Sequence, residues 1–228
     1  MYIQEKGANR NICQQVCCIT FGETSSGPVF GNEIEKKRFL DMLLNAIQDL
    51  KINVYAYCVL DYEAYILATA DGRKKIRLAM QKTKQQFQEH YRKRFPESKE
   101  KFQIEYEWLK GYDMKQIMQL GIAFHFLPAR YNYVQMPEDY WWTSLKEYEL
   151  RYHSGIIRPE IFLTKLAGSQ KQAVRRFSFQ SVRNETAVRY SLTQATHLRM
   201  GAKHTAKQQK QNRYFRLFDR PTHSYFFT

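Results

Sequence analysis

The sequence lacks long apolar runs. No stretch of about 18 consecutive apolar residues occurs, which argues against a membrane-spanning helix and against a membrane partner. Residues 1–11, MYIQEKGANRN, also lack the apolar core of a secretory signal, so we expect a cytoplasmic protein, with association with the nucleoid as the alternative. A chain of 228 residues is long enough for one domain with an extension, or for two small domains.

Cysteine is scarce, and its placement favours buried thiols. The four cysteines are Cys13, Cys17 and Cys18 in CQQVCCITF, and Cys58 in VYAYCVL. All four lie in apolar surroundings, and no second cysteine pair or cysteine–histidine cluster completes a set of zinc ligands. We therefore predict buried, reduced cysteines, as is usual for free thiols in a cytoplasmic protein.

Acidic residues are too few to balance the basic ones, and the imbalance is concentrated in the last third of the chain. The whole sequence has 36 Lys and Arg against 22 Asp and Glu, a net charge of +14. Residues 151–228 alone hold 15 Lys and Arg against three acidic residues, a net charge of +12. This distribution favours a polyanionic partner, above all nucleic acid, with an ordinary solvated cationic surface as the alternative.

Hydrophobic periodicity predicts the element order β-α-β-β-α-β. The predicted elements are a strand at 11–22, a helix at 33–51, strands at 53–60 and 63–70, a helix at 73–95 and a strand at 101–109. This is the order of the ferredoxin-like α+β fold, a four-stranded antiparallel sheet with its helices on one face and the other face open. Tyr55 and Tyr57 share one face of the second strand, where they either stack on bases or pack under the helices.

Two basic segments contain the candidate DNA-binding residues. The helix at 73–95 has cations around its apolar stripe, and in the C-terminal segment the cations alternate with Tyr214, Phe215 and Phe218. Spaced cations neutralise phosphates, and interleaved aromatic rings stack on bases. The candidates are Lys74, Lys75, Arg77, Lys82, Lys84, Arg92, Arg175, Arg176, Lys207 and Arg213. A solvated helix face is the alternative for the first segment, and an unstructured tail for residues 199–213.

Consecutive stretches of the chain resemble one family. They are, in order, ITFGE, VFGNEIEKKRFLDML, INVYAYCVLDYEAYIL, AMQKTKQQFQEHY, MKQIMQLGIAFHFLPARYNYV and PEDYWWTSLKEY. Together they are similar to the REP-associated tyrosine transposases, relatives of the insertion sequence 200-like single-tyrosine (HUH) transposases. PEDYWWTS resembles the family's Asp-Tyr-x-Trp-Ser-Ser signature, and residues 158–182 resemble the helical extension of longer members. The resemblance implies a transposase domain at 1–134 and a basic α-helical extension at 135–228.

The same resemblance implies a site from which the catalytic residues are missing. In this family two histidines one residue apart on the central strand bind Mg²⁺ or Mn²⁺, and a tyrosine on the following helix attacks the scissile phosphate. The histidine positions fall on Glu63 and Tyr65, and the nucleophile position falls on Ala123. A carboxylate can hold a hard cation, but a neutral phenol is a poor ligand and alanine cannot attack.

From these residues we predict a domesticated member of the DNA transposition family that is catalytically inactive. It would have no intact catalytic residue and no cofactor, and would bind single-stranded or hairpin DNA on the open sheet face and the basic helices. One alternative is an active transposase that uses Mg²⁺ or Mn²⁺, with Glu63 as a metal ligand and Tyr112, Tyr131 or Tyr133 as a displaced nucleophile. The chain could instead be a regulatory protein that binds RNA or duplex DNA, or a protein-interaction module that acts through the C-terminal tail.

Two more features are predicted to be structural. His125 matches a histidine of the family and is expected to form a buried hydrogen bond rather than to bind metal. The PEDYWWTS segment is expected to be an anchoring turn, because Trp and Tyr bury large areas when they dock on a core. The sequence is compatible with a monomer or a homodimer.

Overall fold

The computed structural model describes residues 16–23, 28–98, 101–109, 112–149, 152–160 and 163. Its first six elements are β1 (Val16–Glu23), α1 (Glu33–Asp49), β2 (Asn53–Val59), β3 (Glu63–Thr69), α2 (Arg73–Arg94) and β4 (Phe102–Trp108). Helix α3 (Met114–Arg130), a 3₁₀ turn (Pro137–Asp139) and the short helix α4 (Leu145–Tyr148) follow. The predicted β-α-β-β-α-β order is confirmed, with element ends within two residues of those expected wherever the structure describes them.

The four strands form one antiparallel sheet in the order β2-β3-β1-β4. This topology confirms the predicted ferredoxin-like fold. The β2 edge is covered by chain that follows α3, since Val59 N donates to Trp142 O (2.9 Å) and Ser144 N donates to Tyr57 O (3.1 Å). An isolated bridge between Val54 and Ile157 extends this cover. The first part of the predicted extension therefore packs on the four-stranded sheet, and the division at residue 134 stays a prediction.

A cluster of phenylalanines holds α1 and α2 on one face of the sheet. The ring centroid of Phe21 on β1 lies 4.8 Å from that of Phe39 on α1 and 5.9 Å from that of Phe87 on α2. Phe30 and Phe102 complete the cluster, and all five side chains are buried. Packed aromatic pairs stabilise a core by about 0.5–1.5 kcal/mol each beyond their buried area. The cluster thus fixes α2 with its opposite side toward solvent.

Helix α3 packs on the second face of the sheet, mainly over β2. It begins with a capping box, in which Gln116 N donates to Asp113 Oδ1 and Asp113 N donates to Gln116 Oε1, both at 2.8 Å. The ring of Phe124 on α3 contacts the ring of Tyr65 on β3, and the two ring centroids lie 5.9 Å apart. The face expected to be open is therefore open only toward β1 and β4. The physical reason is that α3 is apolar around most of its surface and needs the sheet to cover it.

The buried cysteines are confirmed for the three that the structure describes. Cys17, Cys18 and Cys58 are buried, and burial raises the pKa of each thiol. Cys13 and the extension residues Arg175, Arg176, Lys207 and Arg213 lie outside the described residues. Among the helices that are described, none is both long and apolar enough to cross a membrane.

Candidate functional site

Glu63 and Tyr65 lie on the same side of β3 and are joined by a hydrogen bond. The Tyr65 hydroxyl donates to Glu63 Oε2 at 2.7 Å, which confirms the shared face expected from the two-residue period of a strand. Tyr65 is 1% exposed, whereas Glu63 is half-buried. Burial, and then the charge of Glu63, raises the pKa of Tyr65 well above its usual value near 10. The phenol therefore keeps its proton at neutral pH.

The surroundings of this pair leave little space. A Cβ atom at Gly22, the residue opposite Glu63 on β1, would lie 2.9 Å from Glu63 Cγ, so a glycine is needed there. Tyr131, at the end of α3, lies beside the pair. Burial raises its pKa and the charge of Glu63 raises it further, whereas the charge of Arg130 and, to a smaller extent, a hydrogen bond with Tyr65 lower it. Of the three tyrosines predicted as displaced nucleophiles, Tyr131 is the one placed at Glu63, whereas Tyr133 lies by Asp61 and Tyr112 by Glu107.

Hydrogen bonds fasten the PEDYWWTS segment to α3 and β2. His125 Nε2 lies 2.8 Å from Ser144 Oγ, and the same Oγ accepts from Tyr57 N at 3.0 Å. The Tyr140 hydroxyl donates to Val59 O at 2.8 Å. Burial lowers the pKa of His125 to about 3, so the ring is neutral at neutral pH. These contacts confirm the structural role predicted for His125 and the anchoring role predicted for the segment.

A second anchor continues from the same segment and was not predicted. The carboxylate of Glu147 accepts from the Tyr57 hydroxyl (3.1 Å), from Ser154 N (3.0 Å) and from Ser154 Oγ (2.7 Å). Burial raises the pKa of Glu147, and these donors lower it. The contact with Tyr57 spans 90 residues along the chain, so no local sequence signal indicates it.

Four of the predicted DNA-binding residues form a stripe along the solvent side of α2. Lys74, Arg77, Lys84 and Arg92 are spaced by 3, 7 and 8 residues, which keeps them on one side of a helix, outside the buried stripe that contains Phe87. We call these four residues the basic stripe. At ~1.5 Å per residue it extends over ~27 Å, long enough to follow several successive phosphates.

The two other α2 candidates are engaged in ion pairs. Lys75 Nζ lies 2.8 Å from Asp71 Oδ2, and Lys82 Nζ bonds to Asp49 Oδ2. Arg77 also has a protein contact, since its guanidinium lies 5.9 Å from the ring centre of Tyr106 on β4, but its side chain is exposed. A phosphate at Lys75 or Lys82 would have to compete with a carboxylate, so these two are weaker candidates than the members of the basic stripe.

The open part of the second sheet face is acidic. Thr20 on β1 pairs with both Tyr65 and Glu105, and Cys18 pairs with both Leu67 and Glu107. Directly paired residues share a face, so Glu105 and Glu107 lie on the same side as Glu63. Three carboxylates there disfavour phosphates, and DNA binding on the open face stays a prediction. The alternation QIEYEW in β4 could have indicated this arrangement.

Base stacking by the second strand is also excluded. Both Tyr55 and Tyr57 are buried, so neither ring can accept a base. The alternative interpretation of these residues, as packing groups, is confirmed. A register shift between Val54 and Ala56 places Tyr55 at an irregularity of the ladder with β3.

Comparison with known proteins decides the family. Residues 19–122 match the family described as "Transposase IS200 like". Residues 19–122 form an IS200-like transposase domain. The predicted relationship to the insertion sequence 200-like transposases is thereby confirmed for these residues. A solved structure described as "Structure of the REP associates tyrosine transposase bound to a REP hairpin" is similar over 70% of this chain and 89% of that chain, with 11% identity and a TM-score of 0.47. No curated protein matches the chain.

The divalent metal that the transposase family implies does not fit the residues present. Glu63 offers one carboxylate, one oxygen of which already accepts the Tyr65 hydrogen bond. Tyr65 would have to lose its proton to coordinate a cation, and its raised pKa opposes this. Within the described part of the chain, no group of three or more His, Cys, Asp and Glu is arranged to hold a metal ion.

The position of the family's nucleophile is closed as well. Ala123 is fully buried in α3. The adjacent Phe124 is packed against Tyr65. A nucleophile at position 123 of this transposase domain would not be accessible to a substrate, because the position has no exposed surface.

We expect Ala123→Tyr to destabilise the domain rather than to restore a nucleophile. Inserting a large side chain into a packed core typically costs about 1–3 kcal/mol and occasionally more. The free energy of unfolding, measured in urea, should fall by an amount in this range or above. Gln119→Tyr, one turn earlier on α3 and half-buried, is the matched control and should change it little. Equal stability of Ala123→Tyr and the unmodified protein would show that the helix does not pack as described.

Proposed function

We propose that this transposase domain binds single-stranded or hairpin DNA without cleaving it. The observation that carries the proposal is the Tyr65 phenol, which is buried and hydrogen-bonded to Glu63 where the family has two metal-binding histidines. Cleavage through a covalent intermediate needs both an activated nucleophile and charge stabilisation at the phosphate. The closed Ala123 position removes the first, and the poor fit to a metal removes the second.

The charges of the domain support a binding surface on α2. The basic stripe lies on the helical side of the sheet, whereas Glu63, Glu105 and Glu107 lie on the other side. Phosphates are attracted to the first surface and repelled by the second. DNA would therefore lie along α2 and would not contact Glu63, Tyr65 or Ala123, the positions at which the family has its catalytic residues.

A cleavage assay tests the proposal directly. A hairpin oligonucleotide with labelled single-stranded flanks is incubated with the protein in Mn²⁺ and, separately, in EDTA. We expect a shifted complex in native gels under both conditions, because the contacts are with side chains and not with a metal. In denaturing gels we expect no shortened product and no covalent adduct, even at high protein concentration. A product that depends on Mn²⁺ would rule out binding without cleavage.

Residual catalysis is the second candidate function, and one observation favours it. Tyr131 lies next to Glu63, so a hydroxyl and a carboxylate are adjacent at the site. The raised pKa of Tyr131 opposes its use as a nucleophile, since the attacking species is the phenolate. If a covalent adduct forms, Tyr131→Phe identifies its source: loss of the adduct assigns the nucleophile to Tyr131. Competition among hairpin DNA, duplex DNA and RNA at one salt concentration separates the nucleic-acid alternatives.

A further inference from the structure

The anchoring segment exposes one of its aromatic residues. Trp141 is 53% exposed, although its neighbour Tyr140 is buried in the same turn. Its ring centroid lies 5.6 Å from that of Tyr152, which is 43% exposed, with an interplanar angle of 53°. The ammonium of Lys146 lies 3.9 Å from the centre of the Trp141 ring. Two solvent-facing aromatic rings with a cation against one of them are a group suited to bind a planar ligand that carries negative charge.

These two rings border a small cavity. It has a volume of about 230 Å³ and is also lined by Leu40 and Leu44 of α1 and by Tyr57 of β2. Pockets that hold drug-sized ligands have volumes of about 300–1,000 Å³, so this one suits a single planar ring system rather than a larger cofactor. Lys37 and Asp41 add a cation and an acceptor at its wall. We call it the aromatic cavity.

The aromatic cavity is connected to the basic stripe across the helical surface. A shallow depression on α2 is lined by Lys84, Glu89 and Arg92, among others. Glu89 also lines the groove between α1 and α2, which contains the cations Arg38 and Lys93. That groove reaches Asp41, which lines the aromatic cavity as well. A polyanionic strand that leaves the basic stripe would pass the cations Arg38 and Lys93 on its way to the exposed rings. It would also pass the carboxylates of Glu89 and Asp41, where the depressions meet.

We infer that the aromatic cavity binds one unpaired nucleobase of a single strand, an inference that rests on the proposed DNA-binding function. The base stacks against Trp141 and Tyr152, and Lys37 and Lys146 pair with the phosphates beside it. Stacking on aromatic rings accepts any base but requires that the base be unpaired. The cavity would thus give the protein its preference for single-stranded flanks over duplex, without reading their sequence. The cations that surround it favour this occupant over an uncharged peptide.

Two hairpin oligonucleotides test the inference. They share one duplex stem, and one of them carries a five-nucleotide single-stranded flank. Affinities are measured by fluorescence anisotropy for the unmodified protein, Trp141→Ala, Trp141→Phe and Tyr152→Ala. Because loss of base stacking weakens binding by about 1–3 kcal/mol per base, Trp141→Ala should lower the affinity for the flanked hairpin by at least about fivefold. The blunt hairpin should be unaffected, and Trp141→Phe should retain most of the binding.

A matched control is Met136→Ala, which removes an exposed apolar side chain of similar exposure (50%) outside the cavity. Met136→Ala should change the affinity for neither the flanked nor the blunt hairpin. Replacing the nucleotides of the flank by abasic sugars should weaken binding to the unmodified protein about as much as Trp141→Ala does. The inference is overturned if Trp141→Ala leaves the ratio of the two affinities unchanged, or if it abolishes self-association in sedimentation while binding stays the same.

A separate measurement distinguishes failure of this inference from failure of the proposed function. If neither hairpin binds, the proposed DNA-binding function is wrong. Penta-deoxyadenylate is then titrated into the protein while tryptophan fluorescence is followed. Quenching that Trp141→Ala removes supports base binding in the cavity, and the absence of quenching overturns it.

Discussion

Raising the salt concentration from 50 to 200 mM should weaken binding of hairpin DNA by at least about 50-fold. Each phosphate contact adds about 0.7 to the slope of log K against log salt for a single strand and about 0.9 for a duplex. The four residues of the basic stripe therefore predict a slope of about −3, which corresponds to about 50- to 150-fold over this range. Contacts from the basic C-terminal third would make the dependence steeper. Affinities measured at five salt concentrations give the slope.

The double variant Lys84→Ala, Arg92→Ala identifies the surface responsible. Both side chains lie on the solvent side of α2 with no carboxylate bonded to them among the described ion pairs. Removing two contacts should make the slope shallower by about 1.4 to 1.8. Lys115→Ala is the matched control, because Lys115 is exposed on α3, across the sheet from the stripe. A double variant with an unchanged slope would place the phosphates elsewhere.

The elements of the fold could be predicted because their causes are local. Apolar residues at three- and four-residue steps mark α1 and α2, and alternation marks β4. The shared face of Glu63 and Tyr65 likewise follows from the strand period alone. The burial of Tyr65 could not be predicted in this way, since it is produced by Phe124 and Tyr131 on a helix some 60 residues later.

Which basic residues of α2 are engaged in ion pairs could likewise be predicted from the sequence only in part. Lys75 pairs with Asp71 at an i, i+4 spacing, a pattern that the sequence displays. Lys82 pairs with Asp49, and only the packing of α1 against α2 brings them together. Trp141 and Trp142 are adjacent and chemically identical, yet Trp142 lies against the β2 edge through its backbone while Trp141 faces solvent. Exposure of this kind depends on how the turn docks, which no periodicity encodes.

The domain should lose stability as the pH falls from about 6.5 toward about 3, because His125 is buried without its proton. A histidine in the unfolded chain takes up a proton near pH 6.5, whereas in the folded domain the pKa of His125 is about 3. Between these values the unfolded state binds more protons, so acid favours unfolding. The contribution is about 1.4 kcal/mol per pH unit and reaches about 5 kcal/mol at the lower end.

Urea unfolding at pH 7.5, 6.0, 5.0 and 4.0 measures this contribution against His125→Gln, whose amide nitrogen can still reach Ser144. The variant should be less stable at pH 7.5, because the ring that packs on Tyr148 is lost. Its stability should change less with pH, so the two curves should converge as the pH falls. Burial raises the pKa of Glu147 and of Glu107, an effect that opposes acid unfolding in both proteins equally and cancels in the comparison.

The comparison of the two pH curves tests whether the His125 ring stays buried in the folded domain. Parallel curves for His125→Gln and the unmodified protein would show that the ring is accessible to protons in the folded state. The hydrogen bond from α3 to Ser144, and with it the attachment of the Trp141 turn to β2, would then have to open before the rest of the domain. Convergence would instead show that the attachment and the domain unfold together, with the aromatic cavity kept in place until the whole structure is lost.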